Sequence, residues 1–151
     1  MKFSTLEEFG IRCLVQIARE GPGGALTIPE ISEREGLSEA NVAKVLRLLR
    51  QEGFVVASRG KTGGYALTQP AELIRVGEVI HALGGKLYDE EFCERHSGAE
   101  EVCRHEGACG IQALWEEVQD AIDRVLNQKT IADLARAPFI RREDLLGGRR
   151  N

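Results

Sequence analysis

Three of the chain's four cysteines, Cys93, Cys103 and Cys109, fall within the polar stretch Glu91-Phe-Cys-Glu-Arg-His-Ser-Gly-Ala-Glu-Glu-Val-Cys-Arg-His-Glu-Gly-Ala-Cys109. Thiolates bind soft metals, and this stretch lacks the apolar periodicity that would place its cysteines on one buried helix or strand face. The gaps between them are nine and five residues. A compact zinc knuckle spaces its pairs by about two to four. Wide, uneven gaps suit an iron-sulfur cluster, whose irons sit apart and are reached from a loop that wraps around it. Zinc held by the three thiolates plus His105 or His96 is a competing reading, and free thiols on a loop are the plainer one.

A second group of residues has the chemistry of nucleic-acid contact. After the N-cap residue Ser38, the side chains Ala40, Asn41, Lys44 and Arg47 share one face of a predicted helix. Asn pairs with adenine edges, and Lys or Arg with guanine or phosphate, so this face suits a major groove. Shortly after comes the glycine-rich, basic turn Arg59-Gly-Lys-Thr-Gly-Gly-Tyr65, in which Arg59 and Lys61 could reach phosphates or a narrow minor groove. From Ser38 to Tyr65 there are five basic residues against two acidic ones, whereas Tyr88 to Cys109 holds seven acids against two bases. One end of the molecule can therefore meet DNA while the other repels it.

These residues need elements to position them. Leu6, Phe9, Cys13 and Ile17 repeat at helical spacing from about Thr5 to Arg19, ending at Gly21-Pro-Gly-Gly24. Cys13 falls on the buried stripe and reads as a small core hydrophobe, while Glu8 lies off it, within i,i+4 reach of Arg12. A short helix through Ile31 and Glu35 is stopped by Gly36, and a second runs from Ser38 to about Glu52, with Val42, Val45, Leu46 and Leu49 inward. Two helices across so tight a turn predict a helix-turn-helix. Phe54 to Thr68 reads as two short strands around the basic turn, a wing. Beyond Pro70, a short helix over Ile74–Leu83 puts Val76, Val79, Ile80 and Leu83 inward and leaves His81 at the boundary.

After the cysteine stretch, Ile111, Leu114, Trp115, Val118, Ile122, Val125 and Leu126 hold helical spacing for four turns or more. Too little chain follows to cover such a helix, so a second copy is its expected cover, which suits a palindromic DNA site. Thr130-Ile-Ala-Asp133 has the form of a capping box opening a last short helix, and an Arg- and Gly-rich tail follows Pro138. The fold class expected is mainly α with a small β-wing. Its parts are a winged helix-turn-helix domain (1–84), a cluster-binding loop (85–110), a dimerisation helix with a short terminal helix (111–137) and a disordered tail (138–151).

At 151 residues, 42% hydrophobic and 29% charged, the chain is long enough to bury a core and has no apolar run that would cross a bilayer. No signal core opens it, which places the product in the cytoplasm, where cysteines favour metal over disulfides. The net charge of −4 argues against a non-specific nucleic-acid binder. No nucleophile–base constellation and no phosphate loop is present, so an enzyme is not expected.

Taken together, Ile31-Ser-Glu-Arg-Glu-Gly-Leu-Ser38, Arg59-Gly-Lys-Thr-Gly-Gly-Tyr65, Val76-Gly-Glu-Val-Ile80 and the three cysteines followed by Ala113-Leu-Trp115 resemble the IscR/NsrR family of iron-sulfur winged-helix transcription regulators. The resemblance covers roughly Met1 to Ala135 and implies a homodimer paired through the long helix. It further implies an operator in double-stranded DNA, contacted by Ser38, Asn41, Lys44, Arg47, Arg59, Lys61, Gly63 and Tyr65. By position, Cys93, Cys103 and Cys109 match the family's cluster ligands, although the first gap is longer here. Some relatives use a His three residues past the last Cys, where this chain has Gln112. Others use an acidic residue on the partner subunit's first helix, and Glu8 falls at that place, with His105 the alternative. The implied cofactor is a two-iron two-sulfur cluster or a four-iron four-sulfur one, sensing redox state, nitric oxide or iron supply. Ala43 stands where some relatives carry a carboxylate that tunes base preference, so no operator sequence carries over. The rival readings are a zinc-stabilised, non-sensing repressor and a small iron-sulfur electron-transfer protein.

Overall fold

Ser4 and Glu7 open the first helix as a reciprocal cap. Ser4 Oγ accepts from the Glu7 N–H at 3.3 Å, and Glu7 Oε2 accepts from the Ser4 N–H at 2.5 Å. The computed structural model describes residues 2–60, 63–99, 103, 105 and 109–138. Helix α1 (Thr5–Arg19) buries Cys13, Leu14 and Ile17 completely or almost so. It is the central post against which the third, fourth and last helices pack.

Helices α2 (Ile28–Glu35) and α3 (Glu39–Gln51) form the predicted pair. Thr27 caps α2, with Glu30 returning the bond, and Gly36 ends it at φ 65°. That left-handed value favours glycine. Val42, Val45, Leu46 and Leu49 carry α3 onto the core.

The wing has one more strand than the sequence suggests. Strands β2 (Val55–Ala57) and β3 (Tyr65–Leu67) pair antiparallel as expected, and β1 (Ala25–Leu26) pairs with β3 on its other edge, giving the order β1-β3-β2. Two residues are too few to show a period-2 pattern, so β1 reads as a helix approach in the sequence.

Helix α4 (Val76–Gly84) follows, with Ile74, Val76, Val79 and Ile80 buried. The cysteine stretch, expected to be a loop, contains one helical turn, α5 (Phe92–Arg95). Helix α6 (Gly110–Asn127) is long and leaves Ile111, Leu114 and Val125 more than half exposed. Helix α7 (Ile131–Arg136), opened by the Thr130–Asp133 capping box, returns to α1 and buries Ile131. Residues 139–151, most of the expected tail, lie outside the described residues. No helix among the described residues is long and apolar enough to cross a membrane.

Candidate nucleic-acid interface and thiol site

The candidate interface is built from α3 outward. Ser38 Oγ accepts from the Asn41 N–H at 3.3 Å, so Ser38 fixes the start of the helix. Asn41, Lys44 and Arg47 are all exposed on the face opposite the buried valines and leucines. The turn that aims this helix is held from below. Arg12 Nε lies 2.6 Å from Glu35 Oε2, Arg12 Nη2 donates to the Glu35 carbonyl oxygen at 2.6 Å, and Gln16 Nε2 donates to Glu35 Oε1. Ser32 Oγ adds a bond to the Leu37 carbonyl at 2.5 Å. The expected Glu8–Arg12 pair is therefore not formed: Arg12 reaches across to α2, where it satisfies a helix-end carbonyl as well as a carboxylate.

The wing is anchored to the same helix pair. Gly64 has φ 114°, and a Cβ there would sit 2.7 Å from the Leu26 carbonyl oxygen, so only glycine lets β3 approach the N-cap of α2. Gly63, at φ 62°, completes the turn, and Ser58 donates its N–H to the Gly64 carbonyl at 2.7 Å. Arg59 is exposed at the tip, while Tyr65, opposite Leu26 and Ala57 in the central strand, is half-buried against the core. Lys61 lies outside the described residues.

At the other end, Cys93 sits on α5, Cys109 is the residue before α6, and Cys103 lies between them; all three are partly exposed free thiols. Phe92 fastens α5 in place. Its ring lies 5.2 Å from that of Tyr88, 4.2 Å from His96 and 6.4 Å from Trp115 of α6, centroid to centroid. Cys93 faces a cleft of about 860 Å³ shared with Tyr88, Gln112 and Glu116. Partial desolvation raises the Tyr88 phenol above its ordinary pKa, and the neighbouring Cys93 adds to the shift. Cys13, by contrast, is fully buried on α1; burial, with the nearby Glu35 charge, pushes its thiol up to about 12.

Among the described residues no three Cys, His, Asp or Glu side chains converge on a metal position. Glu8 is exposed on α1 and makes no ion pair there among the described residues, and His105 is likewise exposed. The three thiols thus fit a thiolate-held iron-sulfur group in donor chemistry, without a closed ligand set among the described residues.

Sequence reading missed two residues near this site. Gln119 is buried on α6 with its Oε1 accepting from the Tyr88 N–H at 3.0 Å. His81, expected at the surface or boundary, is half-buried with Nε2 2.8 Å from Asp123 Oδ1, a close approach without an aligned hydrogen bond among the described residues. The signal for Gln119 was its place on the apolar stripe, four residues after Trp115 and three before Ile122.

Residues 3–137 match the family model described as "Rrf2: Iron-dependent Transcriptional regulator". The chain is 35% identical over 136 residues to protein rrf2 of Nitratidesulfovibrio vulgaris, covering 90% of this chain and 88% of that one. It is 30% identical over 134 residues to the HTH-type transcriptional regulator IscR of Escherichia coli, covering 89% and 80%. Among solved structures, the oxidized form of Staphylococcus aureus CymR superposes with a TM-score of 0.69 at 28% identity, covering 93% of this chain and 100% of that one. IscR of T. potens superposes with a TM-score of 0.69 at 26% identity, covering 100% and 93%.

Proposed function

Since the chain belongs to the Rrf2 family of iron-dependent transcriptional regulators, we propose that it is a dimeric repressor whose operator affinity is set by an iron-sulfur cluster. The observation that carries the DNA-binding part is α3. A helix capped by Ser38 presents Asn41, Lys44 and Arg47 to solvent beside a three-stranded wing tipped by Arg59. The matching family model and the IscR relative are named as transcriptional regulators rather than enzymes.

The dimer reading is supported by α6, whose Ile111, Leu114 and Val125 are 56%, 51% and 64% exposed. An apolar helix face of this kind is stabilised by a partner, and a two-fold pair of recognition helices matches a palindromic operator.

Cys93, Cys103 and Cys109 would hold the cluster, with Glu8 of the other subunit as the fourth ligand and His105 as the alternative. When bound, such a group supplies a redox-active, nitric-oxide-reactive centre, with two irons favoured over four. The chain's own residues do the rest. Glu8 sits one turn before Arg12 on α1, and Arg12 grips the end of α2 where the chain turns into α3. A pull at Glu8 therefore acts through a stiff helix on the recognition helix, and a coupling of a few kcal/mol is enough to shift promoter occupancy strongly.

The test is an operator titration with anaerobically purified protein, before and after nitric oxide, oxygen or iron removal. The reading requires a change in affinity with cluster state that is weakened in Glu8→Ala. Equal affinity in every state would leave a DNA-binding protein without a sensor.

A further inference from the structure

Helix α6 buries one polar side chain, Gln119, at 6% exposure. Burying an amide costs free energy unless both its ends are bonded. Here Oε1 accepts from the Tyr88 N–H at 3.0 Å, and Nε2 donates to Asp123 Oδ1 at 2.7 Å. That Asp123 oxygen is also the one 2.8 Å from His81 Nε2 on α4. On the other side, Tyr88 packs on Phe92, the neighbour of Cys93 on α5, and Tyr88 and Cys93 line the same cleft. One amide thus ties the segment that carries Cys93 to the long helix, whose Asp123 in turn lies against His81 of α4.

Helix α4 packs closely on α1. It meets α1 at Gly10, where a Cβ would lie 2.2 Å from Leu83 Cδ1, and at Gly84, where a Cβ would lie 2.2 Å from Glu7 Oε1. Close-packed helices pass on small shifts instead of dissipating them. We infer that Gln119 is a positioning residue, fixing the Cys93 segment on α6, which packs against α4, so that a change at the thiols is felt by the winged-helix domain of the same subunit. This rests on the reading of Cys93 as a cluster ligand. It adds to it a route inside one chain, independent of the Glu8 contact between subunits.

The test compares the full-length wild type with Gln119→Leu, which keeps the volume and loses both bonds, and Gln119→Glu, which keeps an acceptor for Tyr88. In the iron-free wild type the Tyr88 amide, which lies outside every helix and strand, should be protected from hydrogen exchange. Gln119→Leu should speed that exchange about tenfold, the equivalent of one hydrogen bond, and speed maleimide labelling of Cys93 as read by peptide mass spectrometry. Gln119→Glu should keep the Tyr88 amide protected. In protein carrying iron, the ratio of loaded to iron-free operator affinity should fall in Gln119→Leu from the roughly 5- to 150-fold of coupled sites toward one. An unprotected Tyr88 amide in the wild type, or an unchanged Cys93 labelling rate in Gln119→Leu, overturns the inference. Iron and sulfide content of the wild type tests the cluster reading separately, because exchange and labelling are read on iron-free protein and decide the role of Gln119 in either case.

Discussion

Arg12 holds Glu35 twice, by its carboxylate at 2.6 Å from Nε and by its backbone carbonyl at 2.6 Å from Nη2, and so joins the middle of α1 to the turn that launches α3. The Glu35 side chain is only 11% exposed, so the contact is shielded from much of the water that weakens surface pairs. Arg12→Ala should cost about 1.5–3 kcal/mol, the range for hydrogen bonds to a charged group, and should lower operator affinity as well. Arg12→Lys should recover only part of either, because an ammonium cannot grip both oxygens in one plane. Urea unfolding and operator titration of the same preparations check this.

Gly64 is where the wing is pinned to the N-cap of α2. Gly64→Ala should destabilise by about 1–3 kcal/mol, combining a left-handed backbone with a clash, and should weaken operator binding. Gly60→Ala is the control. Among the described residues no atom lies within 4 Å of a Cβ at Gly60, and its φ is outside the left-handed region, so the thermal midpoint of Gly60→Ala should stay near that of the wild type.

Arg59, exposed at the wing tip, should contribute to DNA affinity through phosphate or minor-groove contact. In Arg59→Ala the slope of log affinity against log salt should shrink by about one unit if the contact is to phosphate. An unchanged affinity and slope would remove Arg59 from the interface.

Apart from the single turn of α5, the helices were readable in the sequence because periodicity and caps agree. Ser4, Thr27, Ser38 and Thr130 each bond to the backbone three residues on, and Gly36 closes α2. The site was legible only in part. The cysteines and the basic face stand out by type and spacing, but the partner of Arg12 does not, because Glu35 lies 23 residues away and Glu8 offers a local alternative. Gln119 was hidden for a related reason: its partner Tyr88 is 31 residues distant, so the sequence shows an interruption of the stripe and not what the interruption binds. Strand β1 is too short to carry a pattern of its own.

Cys13 should behave unlike the other thiols. With its pKa pushed up from 9.0 to about 12 by burial, the folded protein keeps it protonated where the unfolded chain would ionise. Its contribution to stability is thus full below pH about 9 and is lost as pH rises from there toward about 12. Maleimide at neutral pH should label Cys93, Cys103 and Cys109 in the iron-free native protein and spare Cys13 until the protein is unfolded. Cys13→Ala should accordingly leave any iron content unchanged.

The claim that the three exposed thiols hold an iron-sulfur cluster is tested most directly by metal and sulfide analysis of anaerobically purified protein, with Cys93→Ala, Cys103→Ala and Cys109→Ala beside it. Iron matched by acid-labile sulfide, with a visible absorption band that each substitution abolishes, is the predicted result. Stoichiometric zinc without sulfide, or iron that survives all three substitutions, would contradict it.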